Sequence, residues 1–212
     1  MNFTFTRRPV KQLYLKYTVM FAFLAVCIFG TYLLTGHTFI LSKDALNQHL
    51  PLMANYRAAL IHFFHHPGQF QYWSWKMGLG TDTFQVYSYY TIGDVFAYLA
   101  LLFPAAKMTL AYQVITVIRL YCVGLAFVYF AQHFRFRDNV ILAGAATYMV
   151  NAFLLYACIA QPFFTTPFIL FPLIVVQLER VLQGRSAWPL VGVFTWMLIS
   201  NYYFAFVLGI GA

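Results

Sequence analysis

The sequence predicts an all-α, polytopic membrane helical bundle with an extracytoplasmic first loop, and three observations carry that reading. Hydrophobic residues make up 62% of the chain and charged ones 8%, where soluble domains hold roughly 25% charge. Too little polar surface remains to cover a water-soluble core. The apolar residues fall in runs long enough to cross a hydrocarbon layer of ~30 Å at a rise of ~1.5 Å per residue. The 13 Lys and Arg, set against five acids, gather at the ends of those runs and form no long basic tract. That placement points to membrane orientation and away from nucleic acid.

The N-terminal stretch carries Arg7, Arg8, Lys11 and Lys16, which place it in the cytoplasm. The apolar run over 17–35 is too long for a secretory signal and lacks a small-residue cleavage site, so it reads as an uncleaved first span. It exits near Gly36 into a polar, aromatic region over 37–90. That region is too long for a connector and is expected to hold its own structure on the outer side.

The next segment, 91–103, is apolar but short, carries Asp94 and runs into Pro104. A full span follows over 109–131, then Arg135 and Arg137 mark an inner loop. Passing from an outer loop to an inner one needs an odd number of crossings, so 91–103 is expected to lie in the outer interface or to re-enter. Further spans are expected over 140–159, 163–179 and 188–209. Pro162, Pro167 and Pro172 give the fourth an irregular start and a kink. Glu179, Arg180 and Arg185 mark another inner boundary, and Trp188-Pro189 an interfacial start. The chain stops inside apolar sequence and reads as the N-terminal portion of a longer membrane protein. Cys27, Cys122 and Cys158 all lie in apolar segments, which suits buried small residues better than a disulfide framework or metal cluster.

The chemistry concentrates in the outer loop. Asp44 and Gln48 stand four apart and share a helical face, with Asn55 close to it further along. Leu46, Leu50, Met53, Leu60 and Phe64 form another stripe, so an amphipathic helix on the membrane surface is expected. Pro51 either kinks it or opens its main part. Asp44 reads as a helix N-cap, as a general base at the lipid–water boundary, or as a ligand for a divalent cation bridging phosphate oxygens. Downstream, Trp73 and Trp75 lie among Tyr72, Tyr87, Tyr89 and Tyr90; they read as an interfacial belt or as faces for stacking on sugar. Arg57 and Lys76 are nearby cations for a phosphate. Asp82, after a Gly-x-Gly turn, is a turn carboxylate or a ligand. His62, His65 and His66 have spacings that zinc accepts, but no Cys or acid stands by to complete a metal site.

Two polar residues interrupt the later spans. Arg119 sits mid-span, where a charge needs a partner or water; Asp94 and a lipid phosphate are the candidates. Asn201 reads as an interhelical hydrogen-bonding residue.

Several of these pieces coincide in order: Asp44, Gln48 and Pro51 after a first span, then "YWSWKMGLGTD" with its tyrosine run, "LFP" ending at Pro104, and "SNYYF" in a late span. Together they resemble the YfhO family of bacterial membrane proteins over nearly the whole chain, although members of that family are much longer. The resemblance implies a GT-C type glycosyltransferase architecture. Such enzymes move a sugar from a polyprenyl-phosphate carrier to a cell-envelope acceptor such as lipoteichoic acid on the outer face. It implies Asp44 as the catalytic carboxylate, acting on the acceptor hydroxyl. Arg57, Lys76 and Arg119 are then candidates for the carrier phosphate, Trp73 and Trp75 for the sugar, with Gln48 and Asp82 completing the substrate-binding set.

Two other readings compete. A lipid or sugar transporter or flippase would use Arg119 and Asp94 within the membrane and is expected to show broken helices in two matching halves, a symmetry absent from this sequence. A non-catalytic scaffold would use the outer loop to bind a partner.

Overall fold

The computed structural model describes residues 10–75 and 77–211, apart from the side chains of Val10, Tyr89 and Tyr90. The fold is an all-α bundle with one tiny β-hairpin. Helix α1 (Val10–Leu34) is followed by an extended stretch, a π-helical turn over Ala45–His49 and α2 (Leu50–His65). Strands β1 (Trp73–Ser74) and β2 (Thr81–Asp82) then pair antiparallel, Trp73 opposite Asp82 and Ser74 opposite Thr81. A short α3 (Thr83–Tyr87), a second π turn (Ser88–Ile92) and a 3-10 helix (Ala97–Leu102) lead into α4 (Met108–His133). The remaining helices are α5 (Asp138–Met149), α6 (Ala152–Ala160), α7 (Thr166–Leu182), α8 (Trp188–Ser200) and α9 (Tyr202–Gly211).

Among the described residues, three helical stretches are long and apolar enough to cross a membrane: Lys11–Leu34, Ala105–His133 and Pro162–Leu182. The α5–α6 pair makes a fourth if it counts as one span bent by 50°. The five spans expected from hydropathy therefore differ from the helices in two places, and in both an asparagine is the cause. Asn151 accepts the Leu154 N–H at 2.9 Å and caps α6, breaking the run over 140–159. Asn201 adopts extended backbone and accepts the Phe204 N–H at 3.2 Å, splitting 188–209 into α8 and α9. A short amide that bonds its own backbone ends one helix and starts the next. Asn201 is thus a cap, where interhelical bonding was expected.

Helix α4 forms the axis of the core. Ile115, Leu120, Val123 and Val128 are buried on it, against Tyr17 of α1, Ile141 and Met149 of α5, and Ile169 of α7. Gly124 lets α1 come close: a Cβ there would sit 2.4 Å from the Tyr17 hydroxyl, which donates to the Tyr121 carbonyl at 2.5 Å. A second cluster joins Leu170 and Ile174 of α7 to Met197 of α8 and Ala205 of α9. Leu15, Val19, Phe23, Val26 and Leu33 on α1 stay exposed, as lipid-facing residues do.

Contacts sort the bundle into two ends. At one, Tyr14 donates to Gln132 at 2.8 Å and His133 meets Glu179, so α4 and α7 finish together beside Arg135 and Arg180. At the other, the Phe39 N–H reaches Gln113 at 3.4 Å and the Leu41 N–H reaches the Ile159 carbonyl at 2.9 Å. The exit from α1 is therefore pinned to the start of α4 and the end of α6. Arg7 and Arg8, which carried part of the orientation argument, lie outside the described residues.

The segment over 91–103 is a 3-10 helix flanked by turns and is packed against α2 and α4. Gly93 makes its seat possible, since a Cβ there would meet the Ile199 carbonyl oxygen of α8 at 2.0 Å.

Candidate functional site

The residues after α1 build the site from a backbone irregularity. Pro51 has no N–H, and its ring crowds the carbonyl four residues back. The chain responds by widening: Leu50 donates to Ala45, five residues back, and the α-helix proper starts at Leu50 with Pro51 in its first turn. Such π turns are common at functional sites. On this one Asp44, at its head, and Gln48 are exposed while His49 is buried.

Asp44 makes no capping bond to the turn it precedes, which removes the N-cap reading. Its Oδ2 accepts instead from Gln161 Nε2 at 3.2 Å. Gln161 lies at the break between α6 and the 3-10 turn Pro162–Thr165. The carboxylate is thus exposed and anchored from across the bundle.

Beneath it lies a cavity of about 40 Å³ lined by His49, Thr91, Asp94, Tyr112, Arg119 and Phe163 among others. The His49 ring meets Phe163 edge to face at 5.0 Å. Burial pushes the His49 imidazole down to about 4, with the nearby Asp44 carboxylate pulling the other way. At the cavity wall Arg119 pairs with Asp94, donates to Thr166 Oγ1 at 3.0 Å and lies over the Phe96 ring at 4.6 Å. Both members of the pair are buried, Arg119 at 4% exposure and Asp94 at 6%. Of the two partners expected for Arg119, the structure supplies the acid. Arg119 Nε and the Tyr112 hydroxyl are buried without a hydrogen-bond partner among the described residues. A polar cavity of this size has room for ordered water, for which about 10–15 Å³ suffices.

The other expected site residues lie elsewhere. Arg57 donates through Nε to the carbonyls of Ala100 (3.1 Å) and Phe103 (2.8 Å), closing the end of the 3-10 helix. Asp82 caps α3 by accepting the Gln85 N–H at 2.9 Å. Trp73 and Trp75 stand edge to face at 5.6 Å on the hairpin and are 48% and 76% exposed, so both offer ring surface to solvent. Gly80, at φ +108°, is needed there, because a Cβ would sit 2.7 Å from the Trp75 ring. Lys76 lies outside the described residues. Among the described residues no group of three or more His, Cys, Asp or Glu is arranged to hold a metal ion. A divalent cation at Asp44 would have this one carboxylate and rely on substrate oxygens and water.

The amphipathic stripe expected on α2 also shifts. Met53 and Tyr56 form its buried face, while Leu46 and Phe64 are exposed.

A second hollow, of about 320 Å³, opens between α2, the hairpin and α3. Asn55 Oδ1 accepts from the Tyr87 hydroxyl at 2.9 Å on its wall. Thr83 ties the approach strand down, donating from Oγ1 to Gln71 O at 2.5 Å and from its N–H to Tyr72 O at 2.9 Å. The sequence marks Asn55 only for its helical face, Tyr87 only among the aromatics and His62 only within the histidine cluster, and none of the amides here as binding a sugar. The signal available was the amide pair Gln69 and Gln71 bracketing an aromatic.

A family model described as bacterial membrane protein YfhO matches residues 18–212. No curated protein and no solved structure matches the chain.

Proposed function

Because the chain belongs to the YfhO family of bacterial membrane proteins, we propose that it acts in the cell membrane as part of a glycosyltransferase. The enzyme would take a sugar from a polyprenyl-phosphate carrier and pass it to a cell-envelope acceptor such as lipoteichoic acid. The bundle end holding Asp44 faces outward and the end holding Arg135 and Arg180 faces the cytoplasm, as the excess of Lys and Arg favours. The N-terminus is then cytoplasmic.

The observation that supports this most is the exposed Asp44 carboxylate, held by Gln161 at the end of the bundle where α1 leaves the bilayer. In the reaction an acceptor hydroxyl attacks the anomeric carbon of the carrier-bound sugar. A new C–O bond forms, the bond from that carbon to the phosphate oxygen breaks, and the polyprenyl phosphate leaves with the electron pair. Asp44 takes the hydroxyl proton, which is general-base chemistry. The leaving phosphate needs cations. Of the three candidates, Arg119 is neutralised by Asp94 and the Arg57 Nε is engaged with backbone carbonyls, which leaves Lys76 as the candidate by its sequence position alone. Trp73 and Trp75 offer the ring surface on which a sugar packs.

The test is sugar transfer from a polyprenyl-phosphate donor by the membrane-reconstituted protein. Asp44→Asn is expected to abolish transfer while thermal unfolding stays unchanged. Full activity in Asp44→Asn would refute the assignment. Loss at Arg119 alone, with Asp44 indifferent, would favour the transporter reading.

A further inference from the structure

The hollow between α2 and the hairpin has a chemistry of its own. Its described lining holds no Asp, Glu, Lys or Arg; His62 is its one described ring-nitrogen group, and its polar walls do not suit an acyl chain. Its polar groups are side-chain amides, hydroxyls and the His62 imidazole. Gln69 and Gln71 are exposed and make no side-chain hydrogen bond to another described residue. An amide offers donors and an acceptor together, the combination that vicinal hydroxyls satisfy. Phe63 and Phe70 lie edge to face at 6.4 Å along one side and supply an apolar wall. The volume, about 320 Å³, falls at the small end of the range for organic ligands, roughly 300–1,000 Å³. The walls are fixed in advance by the Asn55–Tyr87 and Thr83–Gln71 bonds, so little ordering is needed on binding. Trp73 precedes Ser74, which lines the hollow, and carries the exposed indole pair on from its edge.

From size, the lack of Asp, Glu, Lys and Arg in the described lining, and the mixed amide–aromatic walls, we propose that this cleft binds an uncharged sugar unit, held by Gln69 and Gln71 and by the Asn55 amide. That the sugar belongs to the acceptor polymer rests on the transfer reading above; the affinity of the cleft for uncharged sugar does not.

The experiment uses the full chain in lipid nanodiscs and ligand-observed saturation-transfer NMR. The probes are a panel of uncharged disaccharides, built from hexoses and N-acetylhexosamines, with glycerol phosphate as the charged comparison. At least one disaccharide is expected to receive saturation and glycerol phosphate none. Ala58→Trp, which fills the cleft from α2 without removing a hydrogen bond, is expected to abolish the signal. The double variant Gln69→Ala/Gln71→Ala is expected to weaken binding by about tenfold or more, as losing two neutral hydrogen bonds implies, and it serves as the test if Ala58→Trp fails to fold. Absence of any disaccharide signal, equal binding by the cleft variants, or preference for glycerol phosphate would overturn the proposal. Sugar binding without any transfer activity would overturn the enzymatic reading and leave the cleft standing.

Discussion

Gln161 Nε2 donates to Asp44 Oδ2 at 3.2 Å, and this one contact ties the first turn after α1 to the break before α7. It fixes an exposed carboxylate without neutralising it. Removing the tether and removing the charge are therefore separable. Gln161→Ala is expected to lower transfer about tenfold, whereas Asp44→Asn loses on the order of 10²–10⁴, the usual contribution of a general base. Gln161→Glu places a like charge beside Asp44 and disfavours its ionised form. The acid limb of the transfer–pH profile should then move to higher pH; an unmoved limb would separate Gln161 from the carboxylate that titrates.

The Arg119–Asp94 pair is buried at both ends, so its two charges depend on each other. Arg119→Met alone strands a carboxylate, and Asp94→Leu alone strands a guanidinium. Each is expected to destabilise the fold by about 3–5 kcal/mol, the typical loss on breaking a buried pair from one side. The double variant Arg119→Met/Asp94→Leu should recover most of that. Thermal unfolding in detergent of the four proteins measures the coupling, and simple additivity would contradict it.

His49 gives the fold an acid limit. Its folded value, lowered by burial to about 4, lies below the ordinary value of about 6.5, so folding favours the neutral ring. The stabilisation is complete above the ordinary value and drains away as pH falls from there toward about 4. Melting temperature should decline across that window. His49→Phe, which keeps the aromatic contact with Phe163, should flatten the decline, and a slope identical to that of the unaltered protein would place the acid sensitivity elsewhere.

Gly93 holds the 91–103 segment against α8. Because a Cβ would fall 2.0 Å from the Ile199 carbonyl oxygen, Gly93→Ala must push two backbones apart. The expected loss is about 1–3 kcal/mol, as for overpacking in a close-packed interior. Limited proteolysis should report it as faster cleavage near the 3-10 helix, and unchanged cleavage would show that the segment moves freely.

The membrane bundle was legible from hydropathy because long apolar runs state their solvent directly. Pro51 read as either a kink or the opening of the main helix, and the structure has it in the first turn of α2; Asp94 was one of two partners foreseen for Arg119. The breaks at Asn151 and Asn201 were not legible as breaks. A hydropathy window weighs composition, while a cap depends on one side chain turning back on its own backbone. The Asp44–Gln161 contact joins residues far apart in sequence, and no periodicity encodes such a pairing. The cleft was hidden for the same reason, since Asn55, Gln71, Thr83 and Tyr87 meet only once the hairpin has closed. Asp82 was ambiguous between turn and ligand, and its bond to the Gln85 N–H gives it a structural task.

The placement of Asp44 on the outer side of the membrane is tested most directly by thiol labelling. In a background with Cys27, Cys122 and Cys158 replaced, a single Asp44→Cys variant in intact cells is treated with a membrane-impermeant maleimide. Labelling before the cells are opened is the predicted result. Labelling only after permeabilisation would put position 44 in the cytoplasm and contradict the account.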